Sequence, residues 1–176
     1  MPPPVALDHL GSAVARARAR RRAGAAAEPR WLALDALHLT LAFFGQVPDA
    51  RVAGLTAALG AVPEPPTVHL RLSGAGTFPE RGAPRVLWVG VDGDLAELAE
   101  LARGIAAAAA GVGVVAANEG RPYRPHLTLA RWPAAARADR RLATALGGYA
   151  GPHFAVAGWV LMRSHPQSRY ETIARW

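Results

Sequence analysis

The chain contains no cysteine, and its 20 basic residues are all arginine because lysine is absent as well. Without cysteine, a disulfide framework, a thiolate nucleophile and a cysteine-based zinc site are all excluded. No apolar run approaches the ~20 residues that cross a membrane, and the first residues lack the basic and apolar segments of a secretory signal. We therefore expect a cytoplasmic protein that does not contact membranes.

The size and charge of the chain narrow the choice of fold and partner. A hydrophobic fraction of 51% in 176 residues can bury a sizeable core, so we expect residues 1–176 to form one domain of two intimate lobes. The replacement of every lysine by arginine is typical of GC-biased coding and is not evidence of function. The net charge of +7 nevertheless favours an anionic partner such as a nucleic acid. Nothing resembles a dimerisation stripe, and we expect a monomer.

One pentapeptide occurs twice: His38-Leu39-Thr40-Leu41-Ala42 is repeated as 126–130. On a β-strand, residues i and i+2 share a face, so each copy would present one imidazole and one hydroxyl while its leucines enter a core. A helix would separate the same pair by roughly 200°. The spacing therefore predicts two equivalent functional strands.

The hydrophobic pattern predicts helices and strands that alternate along the chain. Helices are expected at about 8–22, 49–62, 94–110 and 134–146, and strands at 5–7, 37–44, 67–73, 85–91, 126–132, 153–162 and 169–176. Each half has the order motif strand, helix, two strands. This order predicts a pseudo-twofold α+β fold, with two antiparallel sheets flanking a central cleft and the helices outside.

Two His-x-Thr strands that meet at a cleft carry the groups needed for displacement at phosphorus. One imidazole can deprotonate the attacking oxygen while the other protonates the departing one, since imidazole titrates near neutrality. The hydroxyls of Thr40 and Thr128 can donate to the non-bridging oxygens. Arg131 falls on the opposite strand face by simple alternation, so it reaches the phosphate only through a twist or bulge.

Other interpretations of the motif are weaker. A lone His-x-Thr on a strand is more often structural than functional, because threonine is a good strand former. A metal site is disfavoured, since no clustered His, Asp or Glu ligands accompany the motifs and threonine is a poor zinc ligand. Neither a Gly-x-Ser-x-Gly elbow nor a phosphate-binding P-loop is present.

With these motifs the chain resembles the 2H phosphoesterase superfamily, and within it the RNA 2′,3′-cyclic phosphodiesterases, also called 2′-5′ RNA ligases. The resemblance extends beyond the motifs, through residues 84–88 and 163–164, to Arg169-Tyr170-Glu171. The proline run at 2–4 departs from the basic and aromatic residues with which the family usually begins. That departure predicts a shortened first strand.

The resemblance implies hydrolysis of an RNA 2′,3′-cyclic phosphate to a 2′-phosphate without metal or other cofactor. It implies that His38 is the general acid and His126 the general base, with Thr40 and Thr128 holding phosphate oxygens. Four further substrate-binding candidates are Arg131 for phosphate, Arg124 for the RNA backbone, and Phe44 and Tyr170 for stacking on a base, although an aromatic residue on a strand is more often core.

Three other functions fit the same residues. A catalytically idle module could bind RNA ends without turnover. The reverse reaction would join a cyclic phosphate to a 5′-hydroxyl through a 2′-5′ linkage, and a small cyclic nucleotide could replace RNA as substrate.

Overall fold

Helices and strands alternate along the chain, and the computed structural model describes them for residues 1–20, 26–64, 66–117, 120–166 and 169–176. The helices are α1 (Pro4–Ala19), α2 (Asp49–Gly60), α3 (Leu95–Gly111) and α4 (Arg141–Leu146), with a short 3₁₀ helix at Leu34–Ala36. The strands are β1 (Arg30–Trp31), β2 (Val68–Phe78), β3 (Val86–Gly93), β4 (His126–Arg131), β5 (Ala150–Val156), β6 (Val160–His165) and β7 (Arg169–Arg175). The described helices are too short or too polar to cross a lipid bilayer.

The strands form two sheets, which confirms the α+β class. The larger sheet has the order β1-β4-β3-β2-β5, and β1, β4, β3 and β2 pair antiparallel in turn. The smaller sheet is the antiparallel pair of β6 and β7. On one face of the larger sheet Leu87, Val89 and Leu127 are fully buried. Helix α4 contacts β3 and α1 contacts α4, so these helices complete the core on that side.

The chain forms two compact units, and each takes segments from both halves of the sequence. The first unit is Met1–Leu39, His69–Gly93 and His126–Phe154, and the second is Thr40–Val68, Asp94–Pro125 and Ala155–Trp176. In the second unit α2, α3 and the β6–β7 hairpin enclose an apolar core that includes Leu59, Ile105 and Trp159. The chain passes from one unit to the other within the first motif and directly before the second.

The beginning of the chain is helical, so the strand predicted at 5–7 is wrong. Helix α1 begins at Pro4 after Pro3, and Asp8 lies inside it rather than capping it. Proline suits the first helical turn because its φ is already fixed and an amide there needs no partner. The buried residues of α1 recur at helical spacing, from Leu7 to Leu10 to Ala17. The helix ends at Ala19, and the predicted end near Arg22 lies outside the described residues.

The first motif is not in a strand, which contradicts the prediction for 37–44. A 3₁₀ helix ends at Ala36 immediately before it, and none of the described residues 37–44 joins a sheet. Single hydrogen bonds hold the main chain instead, such as the one that the Ala117 amide donates to the Phe43 carbonyl at 2.7 Å. Alternating hydrophobicity predicts which side chains share a face but does not supply a neighbouring strand.

Three other boundaries differ from prediction. Helix α4 covers only the last six residues of the helix expected at 134–146. The strand expected at 153–162 is two strands in different sheets, β5 and β6. Strand β2 continues to Phe78 instead of ending at Ser73, because Gly74 adopts a φ of 64° at a register shift and the pairing with β3 then resumes.

Candidate active site

Strand β4 presents the second motif as the spacing predicts. His126 and Thr128 are half-buried and lie on one face of the strand, while Leu127 is fully buried on the other. The leucine anchors the strand in the core of the first unit. The imidazole and the hydroxyl are therefore held on the face that the core helices do not cover.

A β-bulge adds Arg131 to that face. Thr128 and Ala130 lie opposite consecutive residues of β3, so Leu129 is an extra residue in the ladder. A bulge of this kind shifts the alternation by one position. The exposed Arg131 therefore lies on the same face as His126 and Thr128, which corrects the placement expected from simple alternation.

Two aromatic rings fix the surroundings of His126. The Phe78 ring meets the imidazole edge to face, with centroids 5.0 Å apart and planes at 80°, and the Trp88 ring centroid lies 6.3 Å away. The two aromatic rings also contact each other at 5.5 Å. Trp88 lies over its cross-strand partner Gly76, where any β-carbon would come within 2.2 Å of the indole. The absent side chain at Gly76 thus makes room for the ring against which the histidine rests.

His38 has a defined hydrogen-bonding partner. Its Nδ1 lies 2.9 Å from the main-chain oxygen of Ala36, and because a carbonyl can only accept, Nδ1 must donate. Nε2 is then the ring nitrogen on which any acid or base chemistry of His38 depends. His38 belongs to the first unit, as His126 does. The segment that leads into it begins at β1, the direct neighbour of β4.

Thr40 lies in the second unit, where Tyr123 holds its main chain. The Tyr123 hydroxyl donates a hydrogen bond to the Thr40 carbonyl at 3.2 Å. Burial raises the pKa of Tyr123 well above its usual range, so the phenol keeps its proton at physiological pH. Tyr123, which lies just before the second motif, therefore anchors the main chain of the first motif.

The remaining predicted binding residues, Phe44, Arg124 and Tyr170, belong to the second unit. Phe44 packs against the apolar core of that unit. Arg124 is exposed in the segment before β4, and Tyr170 is exposed on β7 opposite Ser164. None of the three lies on strand β4, which carries His126, Thr128 and Arg131.

Two other histidines have side-chain partners outside the motifs. Nδ1 of His9 lies 3.1 Å from the Tyr149 hydroxyl, and Nε2 of His165 lies 3.1 Å from the Glu171 carboxylate. Each of these histidines therefore has a side-chain partner of its own, apart from the two motifs.

Sequence reasoning missed three residues around the motifs: Gly76, Trp88 and Tyr123. A glycine inside an alternating strand marks a close approach of another group, so Gly76 carried a usable signal. Trp88 lies in the segment 84–88 that resembles the family, but its contact with His126 depends on the register between strands. Tyr123 carried no signal, because its role depends on a contact between segments distant in sequence. Among the described residues, no three His, Asp or Glu side chains are grouped so that they could hold a metal ion.

Comparison with known proteins agrees with the motif and with the fold. Residues 3–167 match the pattern of the 2′-5′ RNA ligase superfamily. An RNA 2′,3′-cyclic phosphodiesterase of Geobacillus stearothermophilus is 38% identical over 148 residues, which are 82% of this chain and 46% of that protein. The chain spans about half the length of the curated relatives it matches.

Solved structures share the fold over nearly the whole chain. A crystal structure of a Thermus thermophilus protein superposes with a TM-score of 0.70 at 24% identity, covering 96% of this chain and 91% of that one. A crystal structure of Escherichia coli LigT complexed with 3′-AMP gives a TM-score of 0.61 at 25% identity, covering 97% and 91%. Since the family pattern covers all but the ends of the sequence and both His-x-Thr motifs lie within it, the chain belongs to the 2′-5′ RNA ligase superfamily.

Proposed function

We propose that this protein hydrolyses 2′,3′-cyclic phosphate ends of RNA to 2′-phosphate ends, with two histidines as acid and base and without a metal ion or other cofactor. Membership of the superfamily supports the reaction class, and the curated relatives are named RNA 2′,3′-cyclic phosphodiesterases. The positive net charge supports an anionic substrate.

The observation that carries the proposal is the row of His126, Thr128 and Arg131 on one face of β4. This row combines a proton-transfer group, a neutral hydrogen-bond donor and a fixed cation within six residues of a rigid strand. Such a set suits a reaction in which one proton moves and negative charge grows on phosphate oxygens.

In the proposed reaction, water attacks the phosphorus in line with the bond to the 3′-oxygen. His126 takes a proton from the water as the new phosphorus–oxygen bond forms. His38 gives a proton to the 3′-oxygen as its bond to phosphorus breaks, which leaves a 2′-phosphate and a 3′-hydroxyl. The Nδ1–H that His38 donates to Ala36 leaves Nε2 as the nitrogen that exchanges a proton with the substrate, and Nε2 can give a proton when the ring is an imidazolium. The assignment of His38 rather than His126 as the donor follows from the resemblance to the 2H phosphoesterases.

Thr128 and Arg131 stabilise the phosphate oxygens in this scheme. A guanidinium donates two parallel hydrogen bonds to a phosphate, and its charge is not lost at any physiological pH. Thr40 is assigned the role of Thr128 because the motifs are identical. The substrate is thus an RNA with a cyclic phosphate terminus or a related cyclic nucleotide, bound to a protein that we expect to act as a monomer in the cytoplasm.

The test is end-group analysis of a short RNA that ends in a 2′,3′-cyclic phosphate, incubated with the protein in the presence of a chelator. Products are separated against synthetic 2′-phosphate and 3′-phosphate standards. We expect only the 2′-phosphate product. His38→Ala and His126→Ala should each lower kcat by about 10²–10⁴-fold, the usual contribution of one acid–base group. His153→Ala, a change at an exposed histidine of β5, serves as the control and should leave kcat unchanged.

Other outcomes favour other functions. Binding of the RNA end without product formation would indicate an idle binding module. A 2′-5′ linked product as the major species, when a 5′-hydroxyl RNA is added, would indicate ligation. Wild-type turnover by either histidine variant would contradict the assignment of that residue.

A further inference from the structure

The two outer residues of the β1–β4 pair are both arginine. Arg30 of β1 lies directly opposite Arg131 of β4, and both residues are exposed. Side chains at directly opposed positions project from the same face with Cβ atoms about 4.5–5.5 Å apart, and like charges there destabilise a sheet. In the described part of the chain neither guanidinium has a carboxylate or hydrogen-bonding partner. The pair is therefore unfavourable for folding unless an anion neutralises it.

The arginine pair continues the row of His126, Thr128 and Arg131 as far as the edge of the sheet. The bulge at Leu129 places Arg131 on the face of His126, and the cross-strand register places Arg30 on that face too. Strand β1 is the last strand of the sheet on this side. A ligand that starts at His126 and passes Arg131 would next meet Arg30.

The arginine of the neighbouring helix has a different role. The Arg18 guanidinium lies 5.0 Å from the centre of the Trp31 ring and 3.5 Å from the Glu28 carboxylate. The Trp31 indole N–H also donates to Glu28 at 2.6 Å. These groups satisfy one another, which leaves Arg30 and Arg131 as the cations of this sheet edge without a protein partner among the described residues.

The surplus positive charge of the protein lies in the unit that carries this face. Counted on the sequence, the first unit has 13 arginines and 6 acidic residues, whereas the second has 7 of each. The difference of seven in the first unit equals the net charge of the whole chain, +7. A single terminal phosphate does not need so much charge, while a polynucleotide backbone does.

We propose that Arg30 binds the phosphodiester that joins the terminal nucleotide of the RNA to the next one, while Arg131 binds the reacting phosphate. This proposal rests on the proposed function and narrows it. The preferred substrate is an oligonucleotide, and a mononucleoside 2′,3′-cyclic phosphate lacks the group that Arg30 recognises. Recognition of this kind is independent of base sequence, because it is made to the backbone.

The test compares two substrates, a cyclic-phosphate-ended RNA hexamer and a mononucleoside 2′,3′-cyclic phosphate. Arg30→Ala should lower kcat/KM for the hexamer by about tenfold, mainly through KM, which corresponds to the loss of one charged hydrogen-bonding contact. It should leave kcat/KM for the mononucleotide unchanged, and Arg30→Lys should restore part of the loss. Arg103→Ala, at an exposed arginine of α3, is the matched control and should change neither value.

Two further measurements separate binding from stability and from catalysis. Anisotropy titrations with a 3′-phosphorylated RNA hexamer at several salt concentrations should give a log–log slope that is shallower by about 0.7 in Arg30→Ala, the value for one phosphate contact on a single strand. The Tm of Arg30→Ala should be equal to or above that of the wild type, since a like-charge contact is removed.

Equal losses on both substrates, or no loss on either, would overturn the role of Arg30. Failure of the wild type to turn over any cyclic phosphate would contradict the proposed function instead. In that case the salt slope would still decide whether Arg30 binds the RNA backbone, because the titration needs no catalysis.

Discussion

The replacement Gly76→Ala tests how the sheet positions His126. A β-carbon at this position would lie 2.2 Å from Cζ2, 2.5 Å from Cη2 and 2.8 Å from Cε2 of Trp88. Ordinary contact begins near 3.4 Å, so the indole must retreat by about 1.2 Å. The main chain of β3 is paired on both sides, and the ring can therefore move only within a space that it shares with Phe78 and His126.

Two magnitudes follow from this displacement. Overpacking of this size lowers the free energy of unfolding by about 1–3 kcal/mol. A shift of about 1 Å in a reacting group lowers turnover by about 10²-fold, because the group no longer meets its oxygen at hydrogen-bonding distance. We therefore expect Gly76→Ala to lose stability moderately and to lose about 10²-fold in kcat, with a smaller change in KM.

The assay combines urea unfolding, steady-state kinetics on a cyclic-phosphate RNA and the NMR signal of the His126 Cε1–H, which the Trp88 and Phe78 rings shift. Gly54→Ala is the control, since a β-carbon there meets nothing within 4 Å and alanine favours the helix. In a Trp88→Leu background Gly76→Ala should cost little more, because the clashing ring is gone. Unchanged kcat and an unchanged His126 signal in Gly76→Ala would refute this account of how the ring is held.

Three further predictions concern the surroundings of the motifs. Arg131→Ala should lower kcat by about 10²–10³-fold, the usual effect of removing one donor to a developing oxyanion, while Arg131→Lys should keep part of the rate. Tyr123→Phe should lower the free energy of unfolding by about 1 kcal/mol through loss of its bond to Thr40, equally at pH 6 and pH 9 because burial raises the pKa of Tyr123. Hydrogen bonds from Arg71, and from the Gly93 amide, lower the pKa of Asp92. The ionised carboxylate therefore stabilises the fold above its unfolded pKa near 4, and this gain is lost as the pH falls through the lower folded value. Asp92→Asn should thus destabilise the protein more at pH 7 than at pH 2 in urea titrations.

Much of the fold follows from periodicity along a single element. Helices α2 and α3 lie within one or two residues of their predicted bounds, because their apolar residues recur at helical spacing. Strand β4 begins at His126 as expected and presents its histidine and threonine on one face. These features depend on local pattern and on burial, which the sequence expresses directly.

Features that depend on a partner strand could not be predicted in this way. The position of Arg131 follows from an extra residue at Leu129, and that bulge is defined only against β3. The first motif has the same sequence as the first five residues of β4, but within the described part of the chain it pairs with no strand. Identical sequences therefore adopt different structures. The beginning of the chain also differs from its local pattern. The hydrophobic pattern predicts a strand at 5–7, but these residues lie in the first turn of α1, because Pro3 and Pro4 fix a backbone that suits the start of a helix.

The central claim is that two imidazoles act as acid and base on one phosphate. The most direct test is the pH dependence of kcat/KM for a cyclic-phosphate RNA, measured with the wild type, His38→Ala and His126→Ala. Because imidazole is the side chain that titrates between pH 5 and 8, we expect a bell for the wild type, with one limb on each side of neutrality. Each variant should retain only one limb at its low residual rate. A profile without a bell in the wild type, or a full bell in either variant, would contradict the claim.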